Sequence, residues 1–420
     1  MKKILYFILC IILLLYIVNG YYAQAITIFV LIGCIIRGIA QKYIYNPFII
    51  LIPTLISFLL YIPAWGGYFF PNLCTLTQSI IAFSFIALFL GISFGINHNI
   101  SPLIRGYEKE SIGIMMGLGL INTIFVIAFY GNILELSGDA LLEAKEGPGI
   151  PIIGQLTYFL PASIIVACKR NNTKLIIFTI AISLFAAIIT VTKTSILVSF
   201  FYILVGFLRF KPEILNNKIG CYLRKYSIVW LPILIIYMFS NNNSIRSDAQ
   251  GYEISYLERS NSSISSEYHG DLAESLFLNY LYFSSPWGNL DYNIRNNNKR
   301  GYGVNTFAQF GKRFGMDIKT VEKIEPTFLN THSFLTDYVI DFGAIGAILA
   351  SFVLGWFIAF CYCRYGCSDD PIWISFYSLI LFATFMLYFS NHFNNGYLFN
   401  YFLSFGIYYL CSKFLTYEKK

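Results

Sequence analysis

The sequence predicts an all-α integral membrane protein with about twelve transmembrane helices and one large polar loop. Hydrophobic residues make up 57% of the chain and charged residues 12%, and the mean hydropathy is +0.63. A soluble domain carries about a quarter charged residues, so this composition excludes a soluble protein. Most apolar runs last about 17 residues or more and lack the alternation of barrel strands, which indicates helices.

The N-terminus begins with Met1-Lys2-Lys3 and an apolar run over residues 4–18. A basic start followed by an apolar run is typical of a signal peptide. No small-x-small cleavage site follows, however, and a second apolar run begins at once. We therefore interpret residues 4–18 as the first transmembrane helix.

Eleven further apolar runs follow, eight before the long polar segment and three after it. They cover residues 23–36, 47–63, 74–95, 112–131, 152–168, 175–191, 194–208, 226–240, 344–362, 372–390 and 397–415. The chain thus divides into residues 1–240 with helices one to nine, residues 241–331 as a large loop with short helices, and residues 332–420 with helices ten to twelve.

The Lys and Arg residues predict the orientation of these helices. Of the 29 Lys and Arg residues, nine lie in residues 241–331, and Lys145 and Lys193 lie in short connections on the same side. The other eighteen fall on the opposite side. Cytoplasmic connections carry such an excess of cations, so we expect both termini in the cytoplasm and residues 241–331 outside. This asymmetry explains the net charge of +7, and nucleic acid is not an expected partner.

The large loop carries nine Lys or Arg residues against ten Asp or Glu residues, so we expect it to be folded rather than a charged tail. Its apolar spacing predicts an amphipathic helix over residues 271–283. Pro286-Trp287-Gly288 is predicted to interrupt regular structure after that helix.

Lys193 lies in a short turn between two apolar runs, which places it at or just below the outer membrane surface. A cation in hydrocarbon costs about 2.5 to 3.5 kcal/mol, so it needs a partner or a purpose. Two interpretations remain open. Lys193 either extends its amine to the surface as a snorkelling lysine or meets an anionic lipid head group.

The loop has a second set of cations, namely Arg295 and the pairs Lys299-Arg300 and Lys312-Arg313. Glycines at positions 301, 303, 311 and 315 lie among them. Glycine lets backbone amides approach an oxyanion, and arginine binds phosphate with two parallel hydrogen bonds. The cluster is therefore either an anion site or a solvated charged face.

His332, Asp337 and Asp341 lie where the loop meets the next apolar helix. His332 is either an acid/base or phosphate donor, or a histidine bonded to backbone at the helix start. Asp337 and Asp341 are four residues apart and share a helix face that cannot point at lipid. We consider Asp341 the more constrained carboxylate, because it directly precedes the hydrocarbon region.

No cofactor or metal site is expected. The sequence has no phosphate loop, nucleotide fingerprint, HExxH motif or serine-nucleophile elbow, so the substrate should bring its own activated bond. Cys361-x-Cys363-x3-Cys367 lacks a fourth metal ligand.

Four stretches form a recognisable pattern: Thr331-His332-Ser333-Phe334-Leu335, Asp341-Phe342-Gly343-Ala344-Ile345-Gly346, Ser285-Pro286-Trp287-Gly288-Asn289 and Gly303-Val304-Asn305-Thr306-Phe307. Together with about twelve spans and one large loop late in the chain, they resemble the O-antigen polymerase (Wzy) family, or oligosaccharide repeat unit polymerases. The motif similarity covers residues 190–195 and about 280–346, and the rest is similar in architecture.

The resemblance implies a multi-span (GT-C-like) architecture in the bacterial inner membrane, with residues 241–331 in the periplasm. It implies an inverting, metal-independent glycosyltransferase that moves an undecaprenyl-diphosphate-linked growing glycan onto a new lipid-linked repeat unit. The expected partners are this lipid-linked oligosaccharide, the lipid bilayer and a chain-length regulator protein.

On this interpretation, His332 and Asp341 are the catalytic candidates. Lys193, Arg300 and Arg313 are the candidates for binding the diphosphate, and Arg259, Arg295 and Trp287 are those for binding glycan. Two alternatives remain, an O-antigen ligase and a lipid-linked oligosaccharide flippase or other transporter. The related ligases have Arg near the position of Lys193 and Asn after the histidine, where this chain has Ser333.

Overall fold

The computed structural model describes residues 21–41, 45–65, 72–96, 112–130, 156–189, 193–213, 271–313, 316, 318–324, 331–394, 398 and 401–406. Regular structure within these ranges is helical, and they contain no β-strand. The side chains of a few residues inside the helices, including Lys193 and Arg313, lie outside the description.

Seven of the described helices precede the polar segment. They are α1 (Tyr22–Ala40), α2 (Pro47–Trp65), α3 (Thr75–Ile96), α4 (Ile112–Tyr130), α5 (Phe159–Lys169), α6 (Thr173–Ile189) and α7 (Lys193–Phe210). Four more follow residue 270, namely α8 (Asp271–Asn296), α9 (Val304–Arg313), α10 (Phe334–Cys367) and α11 (Pro371–Phe385), with a 3-10 turn at Met386–Tyr388. Residues 401–406 are also helical.

Five of the described helices are long and apolar enough to cross a membrane: Tyr22–Ala40, Thr75–Ile96, Ile112–Phe129, Phe334–Cys367 and Pro371–Tyr388. Four shorter apolar helices lie at Pro47–Tyr61, Phe159–Lys169, Thr173–Ala187 and Ser195–Phe210. The protein is therefore an all-α membrane protein. The predicted first and ninth spans, at 4–18 and 226–240, and most of the twelfth lie outside the described residues, so the total of twelve stays a prediction.

Helices α3 and α10 run parallel and are the most closely packed pair among the described helices. A Cβ atom added at Gly91 would overlap the Phe352 carbonyl oxygen, and one added at Gly355 would overlap the Leu88 carbonyl oxygen. Small residues let helix backbones approach in this way inside a bilayer, where dispersion contacts rather than hydrophobic burial join helices. The parallel direction agrees with the alternation predicted for the fourth and tenth spans.

The C-terminal ends of several helices meet at one end of the bundle, here called the Cys367 end. The hydroxyl of Tyr362 in α10 lies 3.5 Å from Gln41 at the end of α1, and Arg209 in α7 forms a 2.8 Å ion pair with Asp369. Basic residues occupy the last turns of α1, α5, α7 and α10. We call the opposite end, where α10 begins, the Phe334 end.

Helix α8 packs against α2, α3 and α10 at the Phe334 end. It continues to Asn296 through Pro286, so the prediction that Pro286-Trp287-Gly288 interrupts regular structure is wrong. Tertiary contacts hold the helix across the proline. Ser57 of α2 donates to the Phe283 carbonyl at 2.7 Å and accepts from the Trp287 indole N–H at 2.7 Å. The polar segment is thus partly integrated into the bundle.

Candidate functional site

A break in α10 divides the helix that follows the polar segment. The helix has 34 residues, and Gly343 within it has φ 71° and ψ −170°. A side chain at such positive φ is strained, so glycine suits this position. Residues 344–367 are about 36 Å long at 1.5 Å per residue, enough to cross the hydrocarbon core. Residues 334–341 lie buried before the break.

Residues 300–302 bind the helix carbonyls next to this break. In an unbroken helix, the amides of residues 343 to 345 would bond to the carbonyls of residues 339 to 341. Here, Arg300 Nη1 donates to the Val339 carbonyl at 2.8 Å. The backbone amides of residues 301 and 302 donate to the carbonyls of residues 340 and 341 at 3.1 and 3.2 Å. The loop therefore donates hydrogen bonds to the carbonyls of residues 339 to 341, which the break leaves without their usual helical partners.

Asp341 binds the first turn of α9 in return. Its carboxylate accepts the backbone N–H of Asn305 at 3.1 Å and that of Thr306 at 2.6 Å. The first amides of a helix lack partners within the helix and carry partial positive charge, so a carboxylate stabilises them. Asp341 is buried, and both of its oxygens are used in this way. These contacts indicate that Asp341 holds α9 in position.

An open groove of about 950 Å³ lies beside this junction. Its walls come from the end of α8, from α9, from residues 320–324 and from Asp337 on α10. Five asparagines line it, namely Asn296, Asn297, Asn298, Asn305 and Asn394. Asparagine amides both donate and accept hydrogen bonds, so the walls suit a ligand rich in hydroxyl groups.

Asn305 gives the groove a buried donor. Its backbone amide binds Asp341, its Oδ1 accepts from the Val321 amide at 2.9 Å, and the residue is buried. Its Nδ2 has no hydrogen-bond partner among the residues that the structure describes. A buried donor without a partner costs about 1–3 kcal/mol, and a bound hydroxyl group would remove this cost.

Asp337 brings a charged group to the groove wall. Its carboxylate forms a 2.7 Å ion pair with Lys323 and accepts from Asn394 Nδ2 at 3.1 Å. Lys299 and Glu322 add one charge of each sign, so the lining is balanced in charge. An ionised carboxylate has about four lone-pair sites, of which these contacts occupy two. Asp337 can therefore accept a further hydrogen bond.

The predicted site residues fall in different places. Arg300 lies exposed at the break, close to Asp341, as described above. His332 is 7% exposed in the turn before α10 and does not belong to the groove lining. α7 begins at Lys193 and α9 ends at Arg313, but these two side chains are not described. Arg259 lies outside the described residues.

Two candidates for binding glycan have structural contacts. Trp287 is 0% exposed, and its ring packs edge-on against Phe58 and Phe85 at 5.6 Å. Arg295 forms a 2.7 Å ion pair with Asp291 and donates to the Asn72 carbonyl at 2.6 Å. These contacts join α8 to α2, to the middle of α3 and to the residues that precede α3, so they favour packing roles for both residues.

Replacing Trp287 with phenylalanine tests that interpretation. The change removes the hydrogen bond to Ser57 and should lower the free energy of unfolding by about 1 kcal/mol or more. If the indole does not stack on sugar, the affinity of the folded protein for an oligosaccharide should stay unchanged. Thermal unfolding and an oligosaccharide-binding assay normalised to folded protein measure the two quantities. A normal stability with a raised Kd for the oligosaccharide would instead indicate sugar stacking on the indole.

His392 is buried and lies two residues before Asn394, which lines the groove. Burial lowers the pKa of His392 from 6.5 to about 4. As the pH falls from 6.5 to 4, the unfolded chain binds a proton that the folded chain resists, so stability is lost across that interval. Two asparagines lie beside His392 in the sequence. Asn391 donates to the Phe334 carbonyl at 3.5 Å, and Asn394 donates to the Asp337 carboxylate at 3.1 Å.

We therefore expect the unfolding temperature to fall between pH 7.5 and 4.5, and to fall less in His392→Gln. The glutamine keeps a polar side chain but cannot take up a proton at these pH values. An equal pH dependence in the two proteins would show that another group controls it.

Sequence reasoning missed most of the groove. None of the five candidate residues whose side chains the structure describes lines it. The amides were overlooked, although Asn296-Asn297-Asn298 is a visible run of polar side chains. Sequence reasoning also favoured Asp341 over Asp337, because only the folded chain reveals the amides of α9 beside Asp341.

Comparison of the chain with known protein families, with curated proteins and with solved structures finds no match.

Proposed function

We propose that the protein is an O-antigen repeat-unit polymerase. It would transfer a growing glycan from undecaprenyl diphosphate onto a new lipid-linked repeat unit at the periplasmic face of the inner membrane. The observation that carries this proposal is the amide-lined groove of about 950 Å³ beside the start of a membrane-spanning helix. Its size lies at the upper end of the range for ligand pockets, and its balanced charge suits a sugar chain.

The orientation is part of the proposal. The cations in the last turns of α1, α5, α7 and α10 support a cytoplasmic Cys367 end and a periplasmic groove. Both termini would then be cytoplasmic, as the sequence predicts.

Arg300 suits the diphosphate of the lipid carrier. It holds the Val339 carbonyl with one nitrogen, and it remains exposed beside Gly343, where the helix enters hydrocarbon. Guanidinium groups carry five N–H donors and bind phosphate with two of them at once. A cation at this position would stabilise the charge that develops on the leaving diphosphate. Lys193 and Arg313 remain further candidates, from their sequence positions.

Asp337 is the best-placed base for the acceptor sugar. The acceptor hydroxyl oxygen would form a bond to C1 of the donor glycan while the bond between C1 and the diphosphate oxygen breaks. The hydroxyl proton would pass to the Asp337 carboxylate, and undecaprenyl diphosphate would leave with the bonding electron pair. Attack from the opposite face inverts C1. Asp341 would position α9 and the groove, instead of the catalytic role expected from the sequence.

His332 offers a test of the original assignment. It is buried outside the groove lining, so we expect His332→Gln to retain most glycan polymerisation when protein abundance is matched. Gel banding of the surface glycan measures the result. Loss of long chains at normal abundance would return His332 to the mechanism as a donor to the acceptor or to phosphate.

A deletion strain separates the proposed function from its alternatives. Loss of a polymerase should leave lipopolysaccharide capped by a single repeat unit. Loss of a ligase should leave no repeat unit on the lipopolysaccharide, and loss of a flippase should leave repeat units on the cytoplasmic side. The chain-length regulator expected from the resemblance would alter the modal length of the product without being needed for bond formation.

A further inference from the structure

An exposed aromatic surface lies next to the groove. It consists of Tyr302, Phe307, Phe310 and Met316, and we call it the aromatic face. Tyr302 is 85% exposed and Phe307 is 61% exposed, and about half of the surface of the other two residues is exposed. Apolar patches of this kind mark contact with a membrane or a partner.

The aromatic face is continuous with the exposed apolar surface of α10. Ile345, Leu349, Val353 and Trp356 follow one another at three- and four-residue spacing and are exposed, as expected of a lipid-facing stripe. Phe342, just before the break, is also exposed. The two surfaces meet at Gly303. A Cβ atom added there would lie 3.3 Å from the Phe307 ring and 3.5 Å from the Phe342 ring. The glycine therefore sits between an aromatic side chain of α9 and one of α10.

Helix α9 has two different sides. Asn305 and Ala308 line the groove, whereas Phe307 and Phe310 are exposed. Cations precede the helix at Lys299-Arg300 and form its last two residues, Lys312-Arg313. An apolar side, a polar side and flanking cations are typical of helices that lie in the plane of a membrane interface.

We propose that α9 is an interfacial helix whose aromatic face inserts into the lipid bilayer beside α10. The occupant of this face is lipid, because the face continues the stripe that α10 presents to the bilayer. The opposite side of the same helix then holds the groove at the depth of the lipid head groups. A lipid-linked substrate would then reach the groove by lateral diffusion in the bilayer. This consequence rests on the proposed function, but the lipid contact itself does not.

Site-specific photocrosslinking in proteoliposomes tests the lipid contact. The full-length protein would carry benzoylphenylalanine at position 307 or 302, in vesicles of phosphatidylethanolamine and phosphatidylglycerol. A matched control carries it at Lys319, which is exposed but lies outside the aromatic face, and a positive control carries it at Leu349. After irradiation, intact-protein mass spectrometry identifies adducts with the mass of a phospholipid.

We expect about fivefold or more lipid adduct at position 307 than at position 319, and an amount similar to that at position 349. The proposal would be overturned if lipid adduct forms at position 349 but the amount of lipid adduct at position 307 is no higher than that at position 319. A crosslinked dimer at position 307 would also overturn it, because the occupant would then be a second copy of the chain. Because no glycan is present, failure here is independent of failure of the polymerase activity.

Discussion

Replacing Gly301 with alanine is expected to abolish glycan polymerisation and to lower the unfolding temperature. A Cβ atom at this position would overlap Asp341 Oδ1, so the carboxylate would have to move away from the first turn of α9. Two hydrogen bonds to a buried carboxylate would be weakened, and groups that are left without partners cost about 1–3 kcal/mol each. The groove would lose the wall that α9 provides.

Gly117→Ala provides the matched control. Gly117 lies in α4, and an added Cβ atom there would have no described neighbour within 4 Å. Its replacement should leave both the activity and the unfolding temperature at wild-type values. Gel banding of the product and thermal unfolding in detergent measure the two effects. A fully active Gly301→Ala protein would show that the contact between the loop and Asp341 does not organise the site.

Asp337→Asn is expected to reduce turnover about 100-fold or more while the protein remains folded. Asparagine has nearly the same shape and keeps one acceptor oxygen for Asn394 or Lys323. It cannot take up the proton of the acceptor hydroxyl at neutral pH, so the loss should fall on turnover rather than on glycan binding. The rate of chain extension at saturating lipid-linked substrate measures it.

Asp291→Asn is the control for this change. Asp291 is also a buried carboxylate with an ion-pair partner, Arg295 at 2.7 Å, and it accepts the Cys74 amide at 2.9 Å. It does not line the groove. Its replacement should lower stability and leave the turnover of the folded protein unchanged. Equal losses of turnover in the two variants would show that Asp337 acts through structure alone.

The membrane helices were largely predictable from the sequence, because each must present a long apolar run to lipid. The apolar runs at 74–95 and 112–131 correspond closely to α3 and α4. The path through Pro286 was not predictable from local signals. Residues far away in the sequence, Ser57 and Phe58, contact the helix around the proline, and such contacts override local preference.

The sequence directed attention to the region of the candidate groove but did not identify the residues that line it. The sequence directed attention to the junction of the loop with α10, and the break at Gly343 and the groove both lie there. It could not reveal that Asp341 faces backbone amides and that Asp337 faces the groove. The four-residue spacing of Asp337 and Asp341 predicts a shared helix face, but the neighbours of each carboxylate depend on how the loop folds.

The described geometry links the groove to α10 through two short elements. Residues 300–302 bind the carbonyls beside the break in α10, and Asp341 binds the start of α9. A change in either element should therefore affect the groove as well as the aromatic face. In the proposed reaction, this coupling would keep the reacting sugar at a fixed height above the lipid carrier.

Reconstitution of the reaction tests the proposed activity most directly. Purified protein in proteoliposomes would receive undecaprenyl-diphosphate-linked repeat units extracted from the deletion strain, and the products would be separated by gel and weighed by mass spectrometry. We predict carrier-linked glycans of two or more repeat units, with one undecaprenyl diphosphate released per bond formed, and loss of both products in Asp337→Asn. Folded wild-type protein that leaves every repeat unit as a monomer would contradict the proposed polymerase activity.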